Sequence, residues 1–465
     1  METVNFRIVL LLALPFVFLN SCANDADDII TDTSSENPII VTDITTQTIT
    51  EWNDLWLELD RYASGMRPNA TSRALAYIHL AAYETAVANM DGYTSNTDRL
   101  QGFNINFNRR EDDIDLNLAL NACYATVMDH FMYNVQADVD SKIAVLQDAK
   151  ETALSQNLTN EVVQNSIEWG NYVAQRTIAY SQTDTEAEAQ IVDPQPSSYE
   201  PPVGEGFWTY SADEERAWFP YWASVRTFVI SADETSSIPP PISYSEDTTS
   251  DFYAEMQEVY TVNNTAKSTN NEQLWIAEFW SDDVENLMMS PPGRQISIAN
   301  QLIAQYDLDF ENSLVLLLKL GFSLNDAAVS TWADKYEYMV MRPSVYIQEF
   351  IDPDFQTNLY TFIFWPNPSF PGYPSGHSTF ASAAAGVFID EFGDTIDFTD
   401  RSHEGRTEFN GTPRTFDTFT DMAEENAYSR IPLGVHIRMD CTEGLRLGYE
   451  ISSAVNNYDL SQSTQ

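Results

Sequence analysis

The 465-residue sequence predicts a mainly α-helical fold, built as one large helical-bundle assembly. Apolar residues recur at three- and four-residue spacing over long stretches. No series of segments alternates polar and apolar residues as half-buried strands do, and no internal repeat occurs. Hydrophobic residues make up 43% of the chain, enough for a large core, so a disordered chain is excluded.

In chain order, the first element is a leader. Arg7 precedes an apolar run over 8–19, too short to span a bilayer but suited to a signal-peptide core. Ser21 stands directly before Cys22, which resembles a bacterial lipobox. That resemblance implies a signal peptide over 1–21, cleavage before Cys22 and lipidation of it. Export to the outer membrane follows as an expectation, as a lipoprotein facing the cell surface or the periplasm. Acidic Asp25, Asp27 and Asp28 resemble a surface-export signal. Residues 22–48 are polar and read as an acidic tether, leaving 49–465 as the helical domain.

Helical spacing then recurs at 72–90, 114–135, 140–182, 271–283, 294–306, 311–341, 378–392 and 440–456. Residues 183–250 are rich in Pro, Ser, Asp and aromatics and read as irregular, a seam between two packed halves of one domain. The run 314–322 is apolar but short and interrupted by Lys319, so the sequence predicts no membrane span beyond the leader. Contact with a membrane is expected only through the N-terminal lipid. Cys123 and Cys441 lie far apart in sequence, and pairing and two buried thiols both remain open.

Charge narrows the function classes. With 70 acidic and 23 basic residues, the net charge is −47. Such a surface repels nucleic acid and anionic lipid, and it suits solubility in high salt. Basic residues clustered in a motif therefore mark an anion site.

Three stretches carry such residues. In "WADKYEYMVMRP" (332–343), one helix would place Lys335 and Arg342 on the same side, with Trp332 adjacent and Pro343 ending the helix. In "PGYPSGHSTF" (371–380), a turn leads into a helix whose N-terminus holds Ser375, Gly376 and His377. Backbone N–H groups there attract anions, and Gly376 permits close approach. In "YSRIPLGVHIRMD" (428–440), Arg430 precedes a turn and His436 follows it. Asp440 lies four residues on, facing His436 if that segment is helical. His79, His130 and His403 read as structural, two in helices and one in a polar loop.

Lys-x6-Arg-Pro, Pro-Ser-Gly-His and Ser-Arg-x5-His-x3-Asp, in this order, resemble the signature of the type 2 phosphatidic acid phosphatases and vanadium-dependent haloperoxidases. Lys335, Arg342, Pro343, Pro374, Ser375, Gly376, His377, Ser429, Arg430, His436 and Asp440 fill every defining position. Residues 330–445 are the active-site portion on this reading. Trp332 and the stretches at 72–90, 201–230 and 276–283 resemble the haloperoxidase branch. The resemblance implies vanadate as cofactor, bonded to His436 and held by Lys335, Arg342, Ser375, Gly376, His377 and Arg430. It implies hydrogen peroxide and a halide as substrates, with an organic acceptor unspecified. His377 would take the peroxide proton, Lys335 would polarise the bound peroxide, and Asp440 would orient His436. Trp332, through its indole edge, and Phe370 would shape the halide pocket. Fungal chloroperoxidases resemble this chain in having phenylalanine at the Phe370 position. Iodide or bromide is nevertheless expected ahead of chloride, the hardest to oxidise. The alternative is a soluble acid phosphatase that uses the same oxyanion site with a histidine nucleophile.

Overall fold

The computed structural model describes residues 43–461 except 98, 112, 211–214, 269–270, 283 and 362–367. The leader and Cys22 lie outside the described residues, so the lipid anchor is a reading of sequence alone. Residues 40–465 form one compact unit.

Its first half contains α1 (Ile44–Asp60), α2 (Asn69–Ala86), α3 (Leu116–Phe131), α4 (Ala137–Leu154), α5 (Asn160–Ser181) and α6 (Thr185–Val192). A largely irregular connection leads to α7 (Asp251–Ser268), α8 (Glu272–Phe279), α9 (Pro291–Gln305), α10 (Phe310–Tyr338) and α11 (Pro343–Phe350). Then come α12 (Gly376–Phe392), a hairpin of β1 (Thr395–Asp400) and β2 (Arg414–Thr418), α13 (Phe419–Tyr428), α14 (Arg430–Leu433) and α15 (Arg438–Asn456). The mainly α expectation holds.

Helix starts follow side-chain caps. Asp43 accepts from the N–H groups of Thr45 and Thr46, so α1 begins inside the stretch read as tether. Thr159 caps α5 and interrupts the single helix expected over 140–182. Asp309 caps α10, which packs against α2, α9, α12 and α15 at the centre of the core. By length and composition α10 could cross a membrane, but 94% of its apolar window is buried within the fold. It is the hub of the bundle.

Several described elements were not expected from sequence: α6, inside the stretch read as irregular, then α7, α11, α13, α14 and the antiparallel hairpin. Each β strand is only five or six residues long, and β1 turns Ile396, Phe398 and Asp400 inward. So short an alternation is indistinguishable from loop without its partner. Cys123 on α3 and Cys441 on α15 are both free and buried, which settles the cysteine question against a disulfide.

Candidate active site

The end of α10 departs from the sequence expectation. The helix stops at Tyr338, and Met339 turns left-handed at φ 52°. Beyond it the chain leaves the helix and pairs with another segment: Trp208 N–H donates to Met339 O, Val340 pairs with Phe207, and Met341 N–H donates to Gly206 O. Lys335 and Arg342 therefore do not share a helix. Arg342 is extended before Pro343, which disfavours helical geometry in the residue preceding it, and it precedes α11 as the N-cap.

Both cations still reach one place. The fully buried Lys335 ammonium donates to Pro371 O (3.0 Å), Gly372 O (3.0 Å) and Pro374 O (2.5 Å). Its donors thus hold the turn that the sequence placed before the second motif. Arg342, also fully buried, donates through Nε to Phe370 O (2.9 Å) and through Nη1 to Val435 O (2.9 Å).

The turn feeds α12 as expected. Ser375 caps it, its hydroxyl accepting from Ser378 N–H, while its own N–H donates to Asp440 O at 2.9 Å. His377 occupies the first turn, and its Nε2 lies 3.1 Å from Ser281 O. A carbonyl only accepts, so Nε2 carries the proton and Nδ1 is the basic nitrogen of the neutral ring.

In the third stretch, Arg430 opens α14 and its Nη1 donates to the carbonyls of Trp280 and Ser281, each at 3.3 Å. His436 precedes α15, which starts only at Arg438, so the expected helical pairing with Asp440 does not occur. The contact forms another way. Asp440 reaches back from the first turn, and its Oδ2 accepts from His436 Nδ1 (3.0 Å) and from Ile437 N–H (3.2 Å). On the other side, Arg342 Nη1 lies 3.1 Å from His436 Nε2. A guanidinium only donates, so Nε2 holds the lone pair and Nδ1 the proton. Two neighbours thus set the imidazole tautomer.

Trp332, His377, Arg430 and His436 line a cavity of about 480 Å³ together with Phe370 and Gly376. Ser64 and Asn286 at its rim are exposed, whereas Arg430, His377 and His436 are buried. The Trp332 ring packs 4.9 Å from that of Phe370. Its indole N–H donates to Trp218 O at 3.2 Å, so the donor expected to meet a halide is already engaged by a backbone carbonyl. The Phe370 ring lies against both Lys335 and Arg342, at 5.2 and 4.9 Å.

Electrostatics favour an anion. Burial pushes Lys335 well below the usual lysine range, and Arg342 and Arg430 push it further while Asp440 opposes them. Burial likewise pushes His436 down, with Arg342, Lys335 and Arg430 adding to it, so the ring is neutral. Burial raises Asp440, against the Ile437 N–H, Lys335 and Arg342. Lys335, Arg342 and Arg430 all bear on His436 as positive charges, a field that favours an oxyanion, and the neutral His436 Nε2 is the form a metal centre requires. Vanadate therefore fits this donor set.

One side of the site was missed in sequence. Ser281, whose carbonyl meets both His377 and Arg430, follows α8 just beyond its end. Next to it, Asp282 is fully buried and pairs with Arg294 of α9 at 2.8 Å. Arg294 also meets Asp400 of β1 at 3.2 Å and contacts His403. His403 lies in the loop after β1, as expected from its neighbours, yet it is completely buried among charges. Only the acidic pair after an aromatic run, "FWSDD", pointed here.

The arrangement is a buried, positively charged site suited to an oxyanion, and comparison with known proteins narrows the class. A family model described as the VCPO second helical-bundle domain matches residues 315–463. The vanadium chloroperoxidase of Curvularia inaequalis is 23% identical over 275 residues, which are 47% of this chain and 45% of that protein. The match thus spans about half the length of that curated relative. A crystal structure titled as the first bacterial vanadium-dependent iodoperoxidase superposes with a TM-score of 0.78 and 26% identity, covering 91% of this chain and 99% of that one. A holo-type bacterial vanadium-dependent chloroperoxidase superposes with a TM-score of 0.63 and 15% identity, over 84% of this chain and 92% of that one. The chain has the vanadium haloperoxidase fold, and its residues 315–463 match that family's second helical-bundle domain.

Proposed function

We propose that this protein is a vanadate-dependent haloperoxidase that oxidises iodide or bromide ahead of chloride. The reaction is X⁻ + H₂O₂ + H⁺ → HOX + H₂O. The observation that carries the reading is that Arg430, His377 and His436 line one cavity while the buried Arg342 contacts His436 Nε2 at 3.1 Å and the buried Lys335 adds its charge beside them. When bound, vanadate supplies a Lewis-acidic V(V) centre that activates peroxide without haem or flavin.

The protein's own residues have separable tasks. His436 offers Nε2 as the metal ligand, with Asp440 keeping the proton on Nδ1. Arg342, Arg430, Ser375 and the Gly376 N–H bind the oxyanion oxygens. Lys335 adds charge beneath them, polarises bound peroxide and braces the 371–374 turn. His377 receives the peroxide proton at Nδ1 while Ser281 O holds Nε2–H. Trp332 and Phe370 present ring surface to the halide.

Support for iodide or bromide comes from the bacterial iodoperoxidase structure, whose superposition is closer than that of the chloroperoxidase. Export with a lipid on Cys22 completes the proposal and places the enzyme where peroxide and halide arrive from outside. The test is purified protein with and without orthovanadate, assayed for peroxide-dependent oxidation of iodide, bromide and chloride beside a phosphatase assay. Vanadate-dependent iodide or bromide oxidation is expected. Phosphate-ester hydrolysis without halide oxidation would transfer the site to the acid phosphatase alternative.

A further inference from the structure

We propose that Asp282 is a positioning residue for His377 and Arg430, locked by a buried cluster of Arg294, Asp400 and His403. The inference rests on the roles proposed above for those two residues. His377 and Arg430 come from different helices, α12 and α14, yet both donate to one carbonyl, that of Ser281. That carbonyl is thus one shared anchor for the acid–base histidine and an oxyanion-binding guanidinium.

The backbone around Ser281 is not held by regular structure. It has left α8, and Asp282 adopts φ 45°, a left-handed conformation that L residues other than Asn and Asp seldom take. Such strain persists only where surroundings over-determine it. Here Arg294 does so. Its Nη2 donates to Asp282 Oδ1 (2.8 Å) and to Phe279 O (2.5 Å), and its Nε donates to Asp282 Oδ2 (3.3 Å). One guanidinium thus grips the chain on both sides of Ser281. Its plane lies against the rings of Phe279 and Trp280, at 4.8 and 5.2 Å from their centroids.

Arg294 is fixed in turn. Its Nη1 donates to Asp400 Oδ2 at 3.2 Å, and Asp400 Oδ1 accepts from Ser402 N–H (2.8 Å) and Ser402 Oγ (2.6 Å). His403 Nε2 lies against Arg294 Nη2 and 3.6 Å from Asp282 Oδ1, and burial pushes the ring down to about 4, so it is neutral. Arg294, Asp282, Asp400 and His403 are all completely buried. Asp282 also lines the cavity beside His377. The cluster spans α9, the end of β1 and the loop after α8, so it transmits the geometry of the scaffold to the Ser281 carbonyl. Burial opposes the Asp282 carboxylate, but the Arg294 guanidinium outweighs it, and the carboxyl is held at about 2. The grip therefore keeps its charge through the neutral range.

The experiment is a double-mutant cycle on full-length protein, using Asp282→Asn, His403→Gln and His377→Ala, singly and paired. Three quantities are read: melting temperature, vanadate affinity by equilibrium dialysis, and halide oxidation. Asp282→Asn is expected to lower turnover by about tenfold or more through misplacement of His377, and to weaken vanadate binding several-fold through Arg430. In the His377→Ala background the same change should leave turnover within about twofold, while the loss in vanadate affinity persists. His403→Gln keeps a neutral acceptor for Arg294 and should show the same pattern at smaller size, so a failure of Asp282→Asn to fold leaves it to decide. Equal proportional losses of turnover in both backgrounds would overturn the proposal and leave the cluster as packing alone. Absence of halide oxidation in the unmodified, vanadate-loaded protein would instead refute the functional reading, and the affinity readout would still report on Arg430.

Discussion

Gly448→Ala tests whether the site depends on how closely α12 and α15 approach. α12 carries Gly376 and His377, whereas α15 carries Asp440, which orients His436. The two helices pack without a side chain between them at Gly448. A Cβ there would stand 2.7 Å from the Ala383 backbone nitrogen, and nearer still to Thr379 O and Ser382 Oγ. Ordinary contact begins near 3.4 Å, so the helices would have to part by roughly 0.7 Å or more. Alanine gains about 1 kcal/mol of helix propensity over glycine, but forced overpacking costs about 1–3 kcal/mol. Two of the three nearest atoms are backbone and cannot rotate away, so the cost should win. Parting the helices also separates His377 from the His436–Asp440 pair. A misplacement near 1 Å can cost about 100-fold in rate, so a loss of at least about tenfold is expected here. Melting temperature, vanadate affinity and halide oxidation should all fall. Adding Ser382→Ala should not restore them, because the backbone contacts remain. A Gly448→Ala protein with unchanged melting and full activity would refute the claim that this close approach sets the site.

Acid stability gives a second expectation. His79 on α2 is buried, and neither ring nitrogen has a hydrogen-bond partner. Burial pushes it down from 6.5 to about 3. The unfolded chain binds the extra proton, so stability is complete above about pH 6.5 and declines as pH falls toward 3. At pH 5 those two values correspond to a loss of about 2 kcal/mol, which His79→Leu should remove, narrowing the difference in melting temperature between pH 7 and pH 5. His436→Ala should abolish vanadium retention while His377→Ala retains vanadate and loses most turnover; equal vanadium loss in equilibrium dialysis would contradict the division of roles. Inorganic phosphate should compete with vanadate during reconstitution, since the three buried cations recognise oxyanion charge and shape. Reconstitution indifferent to phosphate would mean that they do not converge on one anion.

The residues that gather at the candidate site were legible in sequence because their identities are chemically improbable in so acidic a chain. Lys335, Arg342, His377, Arg430 and His436 supply cations and imidazoles in a fixed order, and a helical chain is readable from its spacing. Helix starts capped by local side chains, such as Ser375 on α12, were equally readable. How the residues meet was decided by tertiary structure. Lys335 and Arg342 converge across a non-helical break held by Trp208, Phe207 and Gly206, partners more than 100 residues away in sequence. Asp440 reaches His436 from a helix start, not along a helix face. Trp332 spends its N–H on Trp218 O. The Ser281 carbonyl and the cluster of Asp282, Arg294, Asp400 and His403 were invisible beforehand. Local spacing determines only which residues share a helix. Burial that removes water forces each isolated charge or carbonyl to find a partner wherever the chain brings one, and that pairing is set by the packed whole.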